Sequence, residues 1–157
     1  MLYKSTTGQK GALKYGVARA CHFLGPYERI SHRPLEWTDN PNLSYEDAYI
    51  WREDGEYRMI FNDMTGKLTG ENHAGAYAVS KDGVRWSLGH PPKAYSRRVR
   101  WKDGSESIQG SLERAQLIMQ GGHPTHLIFA TADGPGGWQR AANTWSIVVP
   151  LKPIESK

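Results

Sequence analysis

Apolar and polar positions alternate along most of this chain in short runs, and each run is closed by a turn-forming pair. Segments 13–20, 27–30, 48–52, 57–62, 75–80, 85–87, 99–102, 116–119, 126–131 and 144–149 are rich in β-branched, aromatic and small apolar residues. Between them stand Gly25-Pro26, Asp54-Gly55, Asp82-Gly83, Asp103-Gly104, Gly121-Gly122 and Gly134-Pro135. Runs of this kind predict strands, because successive side chains in a strand point to opposite faces. Asp-Gly suits hairpin turns, since glycine adopts φ > 0 without steric cost. No longer window shows the apolar spacing of about 3.6 residues that a helix needs. The expected fold class is therefore all-β, with a short helix over 111–116 as the one competing assignment.

Two patterns recur. Glu46-Asp47-Ala48-Tyr49-Ile50-Trp51 leads through Asp54-Gly55 into Glu56-Tyr57-Arg58-Met59-Ile60-Phe61. Glu113-Arg114-Ala115-Gln116-Leu117-Ile118 leads through Gly121-Gly122 into His123-Pro124-Thr125-His126-Leu127-Ile128. One offset relates Glu46 to Glu113, Ala48 to Ala115, Ile50 to Leu117, Gly55 to Gly122 and Ile60 to Leu127. Interleaved with these, Gly16-Val17-Ala18-Arg19-Ala20 precedes Gly25-Pro26-Tyr27, and Gly75-Ala76-Tyr77-Ala78-Val79-Ser80 precedes Asp82-Gly83-Val84-Arg85-Trp86. Together they describe a four-stranded unit: an acid-led strand, its hairpin partner, a glycine-led strand and an outer aromatic strand. Repeated units of this kind predict a β-propeller, with the acid-led strand innermost. The expected organisation is one domain, a partial β-propeller of about two four-stranded blades plus the remnant of a third. The remnant would cover 1–44, the blades 45–111 and 112–151, and a tail 152–157. Loops 62–74 and 88–99 are long for hairpin connections, and the first is expected to lie over a face.

Composition adjusts this picture little. A chain of 157 residues is large enough for one domain with a core. Its 17 Gly and 9 Pro fit many turns, and 6 Trp with 8 Tyr favour strands. The net charge of +4 fits ordinary solubility. Cys21 is alone, so no intrachain disulfide is expected, and it reads as a small buried residue. Neither a metal cluster nor a cofactor motif is present, so no metal and no cofactor are expected. Met1-Leu2-Tyr3-Lys4-Ser5 lacks an apolar leader, and no segment is long and apolar enough to span a membrane. The expected location is cytoplasmic if residue 1 is the natural start, and periplasmic or secreted if the chain is truncated.

Five segments, taken in order, resemble a known family: Ala20-Cys21-His22-Phe23-Leu24-Gly25-Pro26-Tyr27, Glu46-Asp47-Ala48-Tyr49-Ile50-Trp51, Tyr77 to Trp86 with its Ser80-Lys81-Asp82-Gly83-Val84-Arg85-Trp86 motif, Leu112-Glu113-Arg114-Ala115-Gln116-Leu117, and Pro124-Thr125-His126-Leu127-Ile128-Phe129-Ala130. They resemble the five-bladed β-propeller glycoside hydrolases of the family 43-like, 117-like and 32-like group. The match is to the C-terminal half of such enzymes. Relatives carry Pro where Ala48 and Ala115 stand. They also carry a first-blade Asp, acting as base or nucleophile, that nothing in 1–20 replaces.

Glycoside hydrolysis usually uses two carboxyl groups flanking the bond. The resemblance implies Glu113 or Glu46 as proton donor and Asp47 as the group that orients substrate or tunes the acid. The alternative is that these acids tie blades together through Arg114 or backbone N–H groups. Because neighbours on a strand face opposite ways, one of Glu46 and Asp47 is expected to reach the site. His73, Trp138 and Arg114 complete the candidate substrate-binding set. His73 also reads as a surface histidine, and His126 as a structural hydrogen-bonder. Trp138 stands on a loop and is the best candidate to stack on a sugar, whereas Trp51 and Trp86 read as packed. The basic run Ser96-Arg97-Arg98-Val99-Arg100-Trp101-Lys102 reads as a solvated strand edge rather than a nucleic-acid contact.

Two functions remain. One is a glycosidase acting on plant or algal poly- or oligosaccharide, which needs residues from outside this chain. The other is a non-catalytic carbohydrate-binding or self-associating partial propeller. The expected partners are a carbohydrate and either further copies of the chain or a missing N-terminal half, with no nucleic acid and no membrane.

Overall fold

The computed structural model describes residues 1–6, 8, 11–38, 40, 42–134 and 137–152. Pro135 and Gly136 of one predicted turn, and 153–157 of the predicted tail, lie outside the described residues. The structure is all-β. In chain order the strands are β1 (Leu2–Thr6), β2 (Leu13–Arg19), β3 (Glu28–Arg29), β4 (Tyr45–Glu53), β5 (Glu56–Asp63), β6 (Ala74–Ser80), β7 (Ser87–Tyr95), β8 (Arg98–Arg100), β9 (Glu106–Ile108), β10 (Ser111–Gln120), β11 (His123–Ala132) and β12 (Thr144–Pro150). A single 3-10 turn, Trp138–Arg140, precedes β12. The strands form four antiparallel sheets: β1-β2-β3, β4-β5-β6-β7, β8-β9 and β10-β11-β12. This arrangement is consistent with a partial β-propeller or a sandwich-like stack.

The middle sheet is buried on both faces, and the alternation along β5 shows how. Met59 and Phe61 point into one core with Tyr15, Leu43, Tyr45, Ala76 and Ala78. Ile60, between them, points into a second core with Leu112, Ala115, Leu127, Phe129 and Ile147. The period of two thus joins the first sheet to the middle one and the middle one to the last. Aromatic rings organise the first core. Trp37 stacks on Phe61 with centroids 5.1 Å apart and planes at 14°, while Tyr15 meets Phe61 edge-on at 6.3 Å. Each such pair adds about 0.5–1.5 kcal/mol beyond the area it buries. The small residues of β6 are required by these neighbours, since a Cβ on Gly75 would run into the Tyr95 ring.

Both acid-led strands end in the turns their sequences predict. Asp54 and Gly55 take φ of 51° and 81°, and Gly121 and Gly122 take 58° and 84°, the doubly positive pattern that matches strand twist in tight hairpins. Segment 111–116 is extended as the start of β10, so no helix competes there.

Other expectations are corrected. Segment 88–99 is not a loop: β7 runs through Pro91 and Pro92 and is followed directly by β8. Two prolines make the segment read as a connection. They are accommodated because β7 is the sheet's edge and its pairing with β6 shifts register twice. Cys21 is exposed rather than buried, in a turn whose Phe23 and Leu24 are also 77% and 78% exposed. Strands β1 and β9 are not legible in the sequence, being short and polar.

Candidate active site: an acidic cleft between the middle and last sheets

The site begins where β4 and β10 begin. Each strand carries a bulge just past its leading acid, between Glu46 and Tyr49 in β4 and between Glu113 and Gln116 in β10. A bulge sets two residues against one on the partner strand and re-aims a side chain. At both bulges a non-glycine residue adopts left-handed backbone, Asp47 with φ 58° and Arg114 with φ 54°. Positions of that kind cost on the order of 1–3 kcal/mol and cluster at functional sites. These two residues are equivalent in the internal repeat, and they touch. The Arg114 backbone N–H donates to Asp47 Oδ2 at 3.3 Å across 67 residues of chain.

The bulge corrects the expectation that one of Glu46 and Asp47 faces the site. Regular alternation fails at a bulge, and both carboxyl groups come near enough to Glu113 to act on its charge. Glu46 is held by an ion pair to Lys4 of β1 at 2.9 Å, so three sheets meet here. Burial, then the charges of Asp47 and Glu46, hold the Glu113 carboxyl above the usual range, with Arg114 opposing. Asp47 is raised as well, by burial and then by Glu46, against Lys4, the Arg114 N–H and the Arg114 guanidinium. The Tyr95 hydroxyl is driven up by burial, with Asp47 and Glu113 adding to it. A cluster of carboxyl groups that resist joint ionisation is what proton transfer at neutral pH uses.

In front of the acids lies a cleft of about 340 Å³ walled by Glu46, Glu113, His73, Arg97, Trp138 and Met64, among others. Four of the sequence candidates therefore stand together: Glu46, Glu113, His73 and Trp138. Asp47 and Arg114 sit beside the acids without lining the cleft. Trp138 is 60% exposed and free to present its ring. His126 contacts the Thr125 hydroxyl at 3.0 Å, a structural role. Trp51 and Trp86 pack against the second and first cores. Ala48 packs on the first core and Ala115 is buried in the second, so the two alanines that replace proline are fixed by packing.

Sequence reasoning misses the residues that build the cleft wall. Asp63 is fully buried at the end of β5. Its Oδ1 accepts from the Thr65 N–H at 3.3 Å and hydroxyl at 3.2 Å, and its Oδ2 from the Leu68 N–H at 2.9 Å and the Thr69 N–H at 3.0 Å. Its backbone carbonyl accepts from the His73 N–H at 2.8 Å. The polar loop is thus wound around one carboxylate, which brings Met64 and His73 to the cleft. The Asp63, Thr65 and Thr69 spacing is the available signal, since such side chains cap nearby N–H groups. Glu71 then ties this loop to the basic run, accepting from Lys93 Nζ at 3.2 Å, the Ser96 hydroxyl at 3.1 Å and the Arg97 N–H at 3.0 Å. Arg97 is consequently part of the cleft, while Arg98 and Arg100 lie on the exposed β8-β9 hairpin. Among the described residues, no group of three or more His, Cys, Asp or Glu is placed to hold a metal ion.

No protein-family model matches the chain, and no curated protein matches it. Solved structures do. One described as "Glycoside hydrolase" and one described as a complex of BT0996 with RGII each superpose with a TM-score of 0.63 at 12% identity over 98% of this chain. The fold is glycoside hydrolase-like. The chain spans 40% of the length of each of these structures.

Proposed function

We propose that the protein is a glycoside hydrolase-like chain that binds a plant or algal poly- or oligosaccharide in the acidic cleft. Glu113 serves as proton donor, Glu46 is the second candidate for that role, and Asp47 keeps the donor protonated. The observation that carries this reading is the mutual elevation of Asp47 and Glu113 beside an open cleft. A donor is effective when it remains protonated near the working pH, and burial with neighbouring carboxylates achieves that. Trp138 offers an apolar ring for a sugar face, and His73 and Arg97 offer polar contacts at the rim. The partial span of the glycoside hydrolase-like neighbours supports the view that the base comes from outside these residues, from an N-terminal half of a five-bladed propeller or from another copy. In that propeller the four-stranded sheet and its three-stranded neighbours are blades.

A second reading, a non-catalytic sugar-binding or self-associating partial propeller, draws on the Arg114 N–H bond to Asp47, which is a tie between sheets. It draws also on apolar side chains exposed on the last sheet, with Ile118 at 37% and Val148 at 56%. Turnover of aryl-glycosides and plant oligosaccharides, lost in Glu113→Gln and Asp47→Asn, supports the first reading. Saturable sugar binding with no turnover, weakened by Trp138→Ala, supports the second. Absence of both turnover and sugar binding refutes each.

A further inference from the structure

A second concavity, on the first sheet, has the opposite charge to the acidic cleft. It lies against β1, β2 and segment 29–34, has a volume of about 170 Å³, and includes Lys14, Arg29, His32, Arg33, Tyr3 and Ser5 in its wall. Among the described residues, no Asp or Glu lines it. Lys14 is only 3% exposed. Among the described residues it has neither a carboxylate partner nor a side-chain hydrogen bond, and its ammonium lies 5.3 Å from the centre of the Tyr45 ring. Arg29 sits over the Tyr3 ring at 5.9 Å, and neither Arg29 nor Arg33 forms an ion pair among the described residues. Glu28, next to Arg29 on β3, is exposed and pairs with none of the three.

A buried lysine without an anion is costly, and a ring face offsets only about 2 kcal/mol of that cost. Lys4, one strand away, shows the ordinary solution, a carboxylate at 2.9 Å. At Lys14 the protein supplies none and instead adds two guanidinium groups and hydroxyls around the same space. Guanidinium forks and an ammonium together are the usual receptor for tetrahedral oxyanions. At about 30 Å³ per water, the concavity holds such an anion with several waters of its shell.

We propose that this concavity is a binding site for a sulfate or phosphate group, with Lys14 as its buried charge and Arg29 and Arg33 as its fork donors. The site is separate from the acidic cleft and does not depend on the glycosidase reading. Isothermal titration of the full chain with sodium sulfate and sodium phosphate, against sodium chloride at matched ionic strength, tests it. Glucose 6-sulfate and glucose form two further arms. Saturable binding of sulfate or phosphate is expected, weakened about tenfold or more by Lys14→Met and several-fold by Arg33→Gln, as for loss of one charge-assisted hydrogen bond. Arg98→Gln, on the β8-β9 hairpin of another sheet, should leave it unchanged. Tighter binding of glucose 6-sulfate than of inorganic sulfate assigns the site to an anionic saccharide, and equal or weaker binding to a free anion. Because Arg33 is exposed, its variant keeps the test decisive if Lys14→Met does not fold. Heats indistinguishable from chloride, or binding unchanged in the Arg29→Gln and Arg33→Gln variants, overturn the proposal.

Discussion

Neutralising the acidic cluster should make the protein more stable, and the gain should depend on pH in a defined direction. Asp47 and Glu113 are both raised above their ordinary values in the folded chain, first by burial and then by neighbouring carboxylates. In the unfolded chain they titrate near pH 4. Between those ordinary values and the raised ones, the folded state binds more protons than the unfolded state. Stability is therefore highest below this window, falls as pH rises through it, and stays low above it. Asp47→Asn and Glu113→Gln remove the charge and keep the shape. The asparagine also keeps an acceptor for the Arg114 N–H, which now lies 3.3 Å from Asp47. Both carboxyl groups are partly solvated, and Lys4 and Arg114 already compensate Asp47, so the gain is that of a screened surface charge. Each variant should gain about 0.5–1 kcal/mol at pH 7.5 and nothing at pH 3.5. The double variant should fall short of the sum by a few tenths of a kcal/mol, because part of each cost is the other's charge. Urea unfolding of the four proteins at half-unit pH steps measures all of this. Destabilisation of both single variants at pH 7.5, or an unchanged pH slope, would show that the acids act as ties between sheets and not as a strained cluster.

Other outcomes test the scaffold. Phe61→Ala removes a fully buried ring that touches Trp37, Tyr15 and Tyr45, and should cost about 3–5 kcal/mol in chemical denaturation. Asp63→Ala leaves the N–H groups of Thr65, Leu68 and Thr69 without their acceptor. It should cost about 2–4 kcal/mol and speed amide exchange across 64–73 before any other region. Burial opposes ionisation of Glu53, but the His123 and Trp51 hydrogen bonds and Arg58 outweigh it and hold its carboxyl below the usual range. Its contribution is therefore present above the ordinary glutamate value and lost as pH falls through the lowered one. Glu53→Gln should destabilise by about 2–3 kcal/mol at pH 7, and that difference should shrink in acid.

The repeat is legible because it is written in residue types that turn chemistry and strand alternation demand. Asp54-Gly55 and Gly121-Gly122 announce hairpins, and Met59-Ile60-Phe61 announces a strand with two apolar faces. What stays hidden is information that is not periodic. A bulge has no strong signature in one sequence, so strict alternation puts Asp47 on the face opposite Glu46. Pro91 and Pro92 disguise an edge strand as a loop. Asp63 reads as one more polar loop residue, although its carboxylate shapes the wall that brings His73 to the cleft. Arg97 shares its charge with Arg98 and Arg100, yet Glu71 separates it from them by fixing its backbone at the cleft.

The two copies of the acid-led hairpin do more than resemble each other. Duplicated strands that only served packing would each satisfy their own bulge locally. Here the left-handed residue of one copy donates its N–H to the carboxylate of the left-handed residue of the other, so the backbone strain of β10 is coupled to the charge of β4. The same contact that joins the sheets brings Asp47 beside Glu113 and opposes its ionisation. Structural tie and acid cluster are therefore one arrangement rather than competing descriptions. Arg114→Gly separates their causes, because glycine keeps the N–H of the tie, relieves the positive φ and removes the guanidinium. The guanidinium opposes the elevation of both acids, so Asp47 and Glu113 should titrate higher still in this variant. Relief of the φ strain and loss of the compensating charge act in opposite directions, which should keep stability within about 1 kcal/mol of the parent at pH 7.5. Below the window in which the acids ionise, only the relief remains, and the variant should be the more stable of the two. Carboxyl titration by NMR with urea unfolding at pH 3.5 and 7.5 reads both effects. Unmoved titration midpoints would mean that the Arg114 guanidinium does not act on the cluster, and destabilisation at pH 3.5 would mean that its backbone is not strained.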